Sequence, residues 1–382
     1  MFLNLLDDCV AFVKRQAKSL GLPVQVYYCF PRKPIVVITW IGKEPNLPSI
    51  LLNGHMDVVP VFKDKWNHDP FGAEMDEEGN IYARGSQDMK SISIQYLEAI
   101  RRLKRDNVTL RRTIHISFVP DEEIGGAEGM GAFTESKEFK DLNVGFALDE
   151  GIGSSTDTFV VYNGEKTRWV MRVYCIGQPG HGVLLLDNTA GEKAGKIINK
   201  FFEFRNQEKK RLENDPNLTL SDVTSLNLTM MEGGVQANII PQEVILTFDC
   251  RIAPDVDVVE FEERLNKWCK EVGEDVWIEY QQKDAHVPVT KLDESNPYWV
   301  AFKTACENMN VQLQPQILAG ITDNRFIRAL GIPALGFSPM VNTPLLLHDH
   351  NEYLNKDVFL RAIEIYRNVI TAIANVKNKT AV

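Results

Sequence analysis

The sequence predicts an α/β protein in which one domain, built on a mixed and largely parallel sheet, is interrupted by an inserted ferredoxin-like α+β domain. Two patterns carry that reading. Near both ends of the chain, short apolar runs of strand length alternate with amphipathic helical stretches, the layout of helices packed on a mostly parallel sheet. In between, the order becomes strand, helix, strand, strand, helix, strand, which is that of a small α+β unit. The expected divisions are residues 1–161, 162–282 and 283–382, with the first and last forming one domain.

The first helix is expected over residues 4–20, where apolar side chains recur at helical spacing until Gly21 and Pro23 stop it. Strands follow at 34–40 and 49–53, then a helix at 91–104 with Ile92, Tyr96, Ala99 and Leu103 on one face. Two more strands are expected at 113–119 and 144–148. The pattern changes near Tyr162. A strand of alternating character covers 168–176, a long charged helix 189–212, and two further strands 223–231 and 243–252. A helix at 258–271 and a strand at 275–280 complete that unit. The α/β pattern then resumes, with helices at 297–310 and 323–330, a strand at 332–337 and a last helix at 356–376.

With 382 residues, 44% of them hydrophobic and 25% charged, the chain can bury a core in each of two domains. A net charge of −10 argues against a nucleic-acid partner, because phosphate binding needs a basic face. Arg101-Arg102-Leu-Lys104-Arg105 and Lys209-Lys210-Arg211 are basic, but both lie in helical patterns beside acidic residues and read as solvated faces. The six cysteines show no CxxC spacing, Cys175 and Cys250 read as buried thiols, and a reducing compartment is expected. No run of 18 apolar residues is present, so no membrane span is expected. Asp7 and Asp8 interrupt the apolar start, against a signal peptide. The expected location is the cytoplasm.

The residues able to do chemistry sit just past the strands. His55 and Asp57 follow the run 49–54, and Asp88 opens a helix within Arg84-Gly-Ser-Gln-Asp-Met-Lys90. Glu122 and Glu123 follow 113–121, Glu150 follows 144–149, and His348 follows Pro344-Leu-Leu-Leu. In a parallel sheet such positions converge at one edge, where α/β proteins place their sites. Imidazole and carboxylate in this ratio suit a divalent cation such as zinc, so the set reads as a metal-dependent hydrolase.

Each member also has a plainer reading. His55 can be a polar loop residue and Asp57 a turn cap, Asp88 can cap its helix, and Glu122–Glu123 can form a solvated acidic turn. One of Asp149 and Glu150 is expected to face inward. The combination favours metal. Three carboxylates and two neutral imidazoles offset three of the four charges on two Zn²⁺ ions, and a bridging hydroxide supplies the fourth. Among the other histidines, His68 and His286 read as loop residues and His115 as a strand packing residue. His181, in Gly177-Gln-Pro-Gly-His-Gly182, lies on a tight exposed turn of the inserted domain.

Several stretches together resemble the zinc-dependent M20 peptidase family. They are Leu51-Leu-Asn-Gly-His-Met-Asp-Val-Val-Pro-Val-Phe-Lys63, Ile81-Tyr-Ala-Arg-Gly-Ser-Gln-Asp-Met-Lys90 and Thr113-Ile-His-Ile-Ser-Phe-Val-Pro-Asp-Glu-Glu123. Gly145-Phe-Ala-Leu-Asp-Glu-Gly151, Thr322-Asp-Asn-Arg325 and Pro333-Ala-Leu-Gly-Phe-Ser-Pro339 through His348-Asp-His350 add to them. Within the family, the similarity is to the branch that removes acyl groups from N-acyl-L-amino acids. The resemblance implies two zinc ions per subunit, one held by His55, Asp88 and Glu150 and the other by Asp88, Glu123 and His348. It also selects His348 over His350 and Glu150 over Asp149, which the residues alone leave open. It implies that Asp57 orients His55 and that Glu122 is the general base. It further implies a homodimer through the inserted domain, whose His181 and Asn238 reach the partner's site. Arg251 would receive the substrate carboxylate, and Arg325 would also bind substrate.

Two departures from the family pattern bear on these expectations. The family begins with a further helix and loop, and this chain starts at what resembles the second element. After Pro-Gly-His the family carries Ala-Ser, where this chain has Gly182-Val-Leu-Leu-Leu186. A dipeptidase or related amidase is the second reading, and a non-catalytic shortened form that dimerises with a full-length partner is the third. Intact Glu122 and a complete ligand set favour an active amidohydrolase.

Overall fold

Helix α1 (Leu3–Leu20) buries Val10, Val13, Ala17 and Leu20, whose spacing sets them on one face. The computed structural model describes residues 3–216 and 218–377; the last five positions of the expected third segment lie outside them. Two units are present, one of residues up to 164 with 288–316 and 322 onward, the other of 165–287 with 317–321.

In the first unit the chain continues through β1 (Val24–Phe30), β2 (Lys33–Trp40), β3 (Ser49–His55), α2 (Lys90–Arg105), β4 (Ile114–Val119), β5 (Val144–Asp149) and β6 (Phe159–Glu165). The second unit supplies β7 (Thr167–Ile176), α3 (Ala190–Asn214), β8 (Ser225–Gly233), β9 (Glu243–Ile252), α4 (Val258–Val272) and β10 (Val276–Lys283). The chain ends with α5 (Pro297–Asn308), β11 (Leu313–Leu318), α6 (Asn324–Ala329), β12 (Ala334–Gly336) and α7 (Lys356–Ala374).

The large sheet runs β1-β2-β4-β3-β5-β12-β6-β11. Its centre is parallel, with β3 between β4 and β5 and β12 beside β5, while β1, β2 and β6 pair antiparallel toward the edges. Strands β3 and β4 are buried along their whole length, which is why they read as continuous apolar runs. Alternate side chains serve opposite faces. Ile50, Leu52, Ile114, Ile116, Phe146 and Leu148 join a core with α1, α2, α5 and α7. Leu51, Val119 and Ala147 join Ile35, Val37, Phe133, Phe139 and Ile327 on the other side.

Three strands of the large sheet lie outside the expected set: β1, β6 and β11. Strand β1 alternates half-buried and exposed residues, and β11 contains Pro315, which a sheet tolerates at an edge. Two short helical turns, Ala132–Glu135 and Lys137–Asp141, were likewise not expected. The expected break at 161/162 falls inside β6.

In the second unit, β7, β8, β9 and β10 form an antiparallel sheet in the order β8-β9-β7-β10, covered by α3 and α4. That order of strands and helices is ferredoxin-like. Trp169, Met171, Val173 and Cys175 alternate inward from β7 and meet Ile197, Phe201, Phe261 and Leu265. Thr189 and Glu192 start α3 with a reciprocal capping box. A short ribbon pairs Gly180–His181 with Ile239–Ile240.

Candidate metal centre

The register of the parallel strands brings their C-terminal ends level. His55 ends β3 opposite Val119 of β4, and Leu52 pairs with Leu148 of β5. Glu122 and Glu123 lie on the 3₁₀ turn Glu122–Ile124 just past β4, and Glu150 directly follows β5. Asp88 comes from the loop before α2, and His348 from the loop before α7.

These residues meet around Asp88. His55 Nε2 lies 2.9 Å from Asp88 Oδ1 and 3.5 Å from Glu150 Oε1. His348 Nε2 lies 3.2 Å from Asp88 Oδ2 and 3.0 Å from Glu123 Oε2. Thus two groups capable of holding a cation, His55–Asp88–Glu150 and Asp88–Glu123–His348, share one carboxylate and use its two oxygens separately. Asp88 does not cap α2; the N-cap position is Met89, with no side-chain bond.

Asp57 fills two of the roles weighed for it. The His55 Nδ1 is 2.9 Å from the Asp57 carbonyl and 3.5 Å from its carboxylate, which fixes the ring. The same carboxylate accepts from the backbone N–H of Glu122 at 3.2 Å and of Glu123 at 3.1 Å. Imidazole and acidic turn are therefore tied to one group. The far end of the turn is held by α6, where an Arg325 Nη donates to Gly125 O. Gly126 follows at φ +61°, and a Cβ there would lie 2.3 Å from Asp323 Oδ1. Only glycine suits that position.

Electrostatics test whether cations fit. Burial pushes Glu122 up to about 9, helped by Asp323, Asp88 and Glu123 and opposed by His55. Burial and Asp88 raise Glu123 to about 7, and burial with Asp88 raises Glu150 well above its ordinary value. Burial pulls His55 down, but the Glu150 charge and bonds with Asp57, Asp88 and Glu150 outweigh it and raise the imidazole. His348 is raised chiefly by its bond with Asp88. Burial also acts to raise Asp88, yet bonds with His348 and His55 hold it far below the usual carboxylate range. Without cations, the cluster must retain protons. Glu123 Oε1 is in addition buried with no partner. Two divalent cations would replace those protons and take up that oxygen, so the residues fit a metal pair of the kind imidazole and carboxylate bind. The His348 side chain is 56% exposed, leaving that half open to small molecules.

Other candidates fall elsewhere. Asp149 and Glu150 are both buried, not one of them, and Asp149 Oδ1 accepts from Glu150 N. His350 sets its ring edge against Phe62. His115 is buried 2.9 Å from Thr39 Oγ1, and burial lowers it to about 4, so it is a neutral packing residue. His68, in a loop as expected, stacks on Tyr82 and meets Glu74. His286 meets Thr167. In the second unit, His181 and Asn238 are exposed and adjacent, with Gly182 N donating to Asn238 O. Arg251 is paired with Asp249 two residues away on the same strand.

The residue patterns did not point to Gln87, Glu352 or the chain Ser117–Asn53–Asp323. Ser117 Oγ donates to Asn53 Oδ1 at 2.6 Å, and Asn53 Nδ2 reaches Asp323 Oδ2 at 3.5 Å, all fully buried. Asn53, buried two residues ahead of the strand-end ligand His55, was the available signal.

Residues 51–372 match the model of peptidase family M20/M25/M40. Human aminoacylase-1 is 52% identical over 96% of this chain and 90% of its own length. Aminoacylase-1 of Dictyostelium discoideum is 42% identical over 97% and 93%. Among solved structures, an M20 metallo-carboxypeptidase from Sulfolobus solfataricus superposes with a TM-score of 0.71 at 19% identity, covering 96% of this chain and 94% of that one. A dinuclear metal-binding M20 peptidase from Bacillus subtilis gives 0.69 at 15%, covering 97% and 93%.

Proposed function

This chain belongs to the M20/M25/M40 peptidase family, and on that footing we propose that it hydrolyses N-acyl-L-amino acids to a carboxylate and a free L-amino acid. One observation carries the reading: Asp88 offers its two oxygens to two different histidine-containing groups. That arrangement supports two zinc ions per subunit, with Asp88 as the bridge. His55 and Glu150 would complete one pocket, Glu123 and His348 the other. Bound there, the pair would acidify a shared water and polarise the acyl carbonyl.

In this reading Glu122 moves the proton. Its carboxyl accepts a proton from the attacking water as the new C–O bond forms, then gives it to the amide nitrogen as the C–N bond breaks. The high proton affinity produced by burial and neighbouring carboxylates suits such a relay, because nearby cations would draw it down toward neutrality. Asp57 keeps the base and the His55 ligand in fixed relation through its bonds to both segments. Arg325, which would bind substrate, also holds the same turn through Gly125 O.

The second unit supplies the rest of the proposal. As the lid and dimerisation domain, it would present His181 and Asn238 to the metal centre of the partner in a homodimer, with His181 stabilising the developing oxyanion. Exposure of His181 on the ribbon and of Asn238 directly before it supports this. Arg251 would bind the free carboxylate of the substrate, exchanging its bond to Asp249 for one to the ligand. The six cysteines are all free, which suits the cytoplasm. No described helix is long and apolar enough to cross a membrane.

The test offers N-acetyl-L-methionine and a free-amine dipeptide side by side to the zinc-loaded protein. Cleavage of the acylated substrate alone supports the assignment, and preference for the dipeptide contradicts it. Glu122→Gln is expected to retain its zinc and lose roughly 10²–10⁴-fold in kcat; wild-type turnover in that variant would remove Glu122 as the base.

A further inference from the structure

Two buried polar residues beside the centre are not used by the mechanism. Glu352 is completely buried, and its carboxylate accepts from Arg84 Nη1 at 2.6 Å, Gly85 N at 3.2 Å, Gln87 N at 2.6 Å and Asp88 N at 3.3 Å. Gln87, 2% exposed, donates from Nε2 to Pro344 O at 2.9 Å and Tyr353 O at 2.8 Å, and its Oε1 accepts from Leu346 N at 3.1 Å. The two contacts are reciprocal. Glu352, on the His348 side, grips the backbone leading into Asp88. Gln87, on the Asp88 side, grips both flanks of the loop carrying His348.

That loop needs such support. His348 adopts φ +64°, a left-handed conformation that a non-glycine residue keeps only when its surroundings impose it. With its side chain 56% exposed, packing around the ring does not hold it. The other half of the centre is anchored differently, since His55 ends a fully buried strand and Glu150 directly follows β5, whose last four residues are buried.

We infer that Gln87 and Glu352 form a two-way clamp that sets the separation of Asp88 and His348, and through it the affinity of the Asp88–Glu123–His348 half of the centre for its cation. Both are positioning residues; neither touches the reacting atoms. The inference rests on the two-ion reading above. Removing groups that orient metal ligands typically costs 10–100-fold in affinity, and here the loss should fall mainly on the ion that His348 holds.

Metal-free wild-type, Gln87→Met and Glu352→Asp proteins are titrated with Zn²⁺ against a chromophoric chelator, and the heat unfolding of each metal-free form is recorded. Gln87→Met keeps the side-chain volume and removes the polar grip, while Glu352→Asp keeps the charge facing Arg84 and shortens its reach. Each variant is expected to weaken one zinc equivalent by about 10–100-fold and the other, which shares Asp88, by a smaller factor. A purely structural role would lower the unfolding temperature without separating the two affinities. Unchanged binding of both ions, equal weakening of both, or failure of both variants to fold overturns the clamp. Fewer than two equivalents in the wild-type protein defeats the two-ion reading instead.

Discussion

The two carboxylate oxygens of Asp88 face different imidazoles, one from the end of β3 and one from the loop before α7. An Asp opening a helix can serve as cap or as ligand, and here Met89 occupies the cap position of α2. The pair His348 and His350 poses a similar choice. They are two residues apart, yet only His348 comes within reach of Asp88 and Glu123. His348→Ala is therefore expected to release one zinc equivalent, and His350→Ala to keep both; metal analysis of the two purified variants separates these outcomes. Glu352 was illegible for a different reason. Its bond to Asp88 N spans 264 residues, and no local spacing encodes a contact of that range.

At the scale of elements, the continuous apolar runs of β3 and β4 marked the centre of the sheet, because strands covered on both faces carry little polar signal. Strand-end placement of the acidic and imidazole side chains followed from that. Edge strands β1 and β11, half exposed and in one case carrying proline, gave no such pattern. The turn bearing Glu122 was visible as an acidic cluster, but its restraint by Asp57 at one end and α6 at the other was not. This restraint is testable at Gly126. Gly126→Ala must take a positive φ and meet Asp323, at a cost of roughly 1–3 kcal/mol. The expected result is lower kcat with zinc content unchanged, measured by turnover and metal analysis on the same sample; unaltered kcat would show that the turn does not need this restraint.

For the whole molecule, the centre links stability to pH and to metal. Glu122, raised to about 9 in the folded protein, binds protons there that the unfolded chain, titrating near 4.5, has already released. Its contribution to stability is complete below the unfolded value and is lost as pH rises through the folded one. His115 acts in the opposite sense but only below its ordinary 6.5, because burial lowers it to about 4. Between pH 6.5 and 9 the metal-free protein should therefore lose melting temperature. Zinc should raise it more at the alkaline end, and scanning calorimetry with and without zinc reads both trends. A flat metal-free profile would count against the packed carboxylates. Assembly provides a second test. His181→Ala mixed with Glu122→Ala should regain partial activity through hybrid dimers, and inactivity of hybrids shown to form would exclude a shared site.

Zinc-edge anomalous diffraction from crystals of the zinc-loaded protein addresses the metal pair without relying on turnover. Two peaks about 3.5–4 Å apart, one on each oxygen of Asp88, are the expected result. A single peak, or two that leave Asp88 untouched, would contradict a centre built on that shared carboxylate.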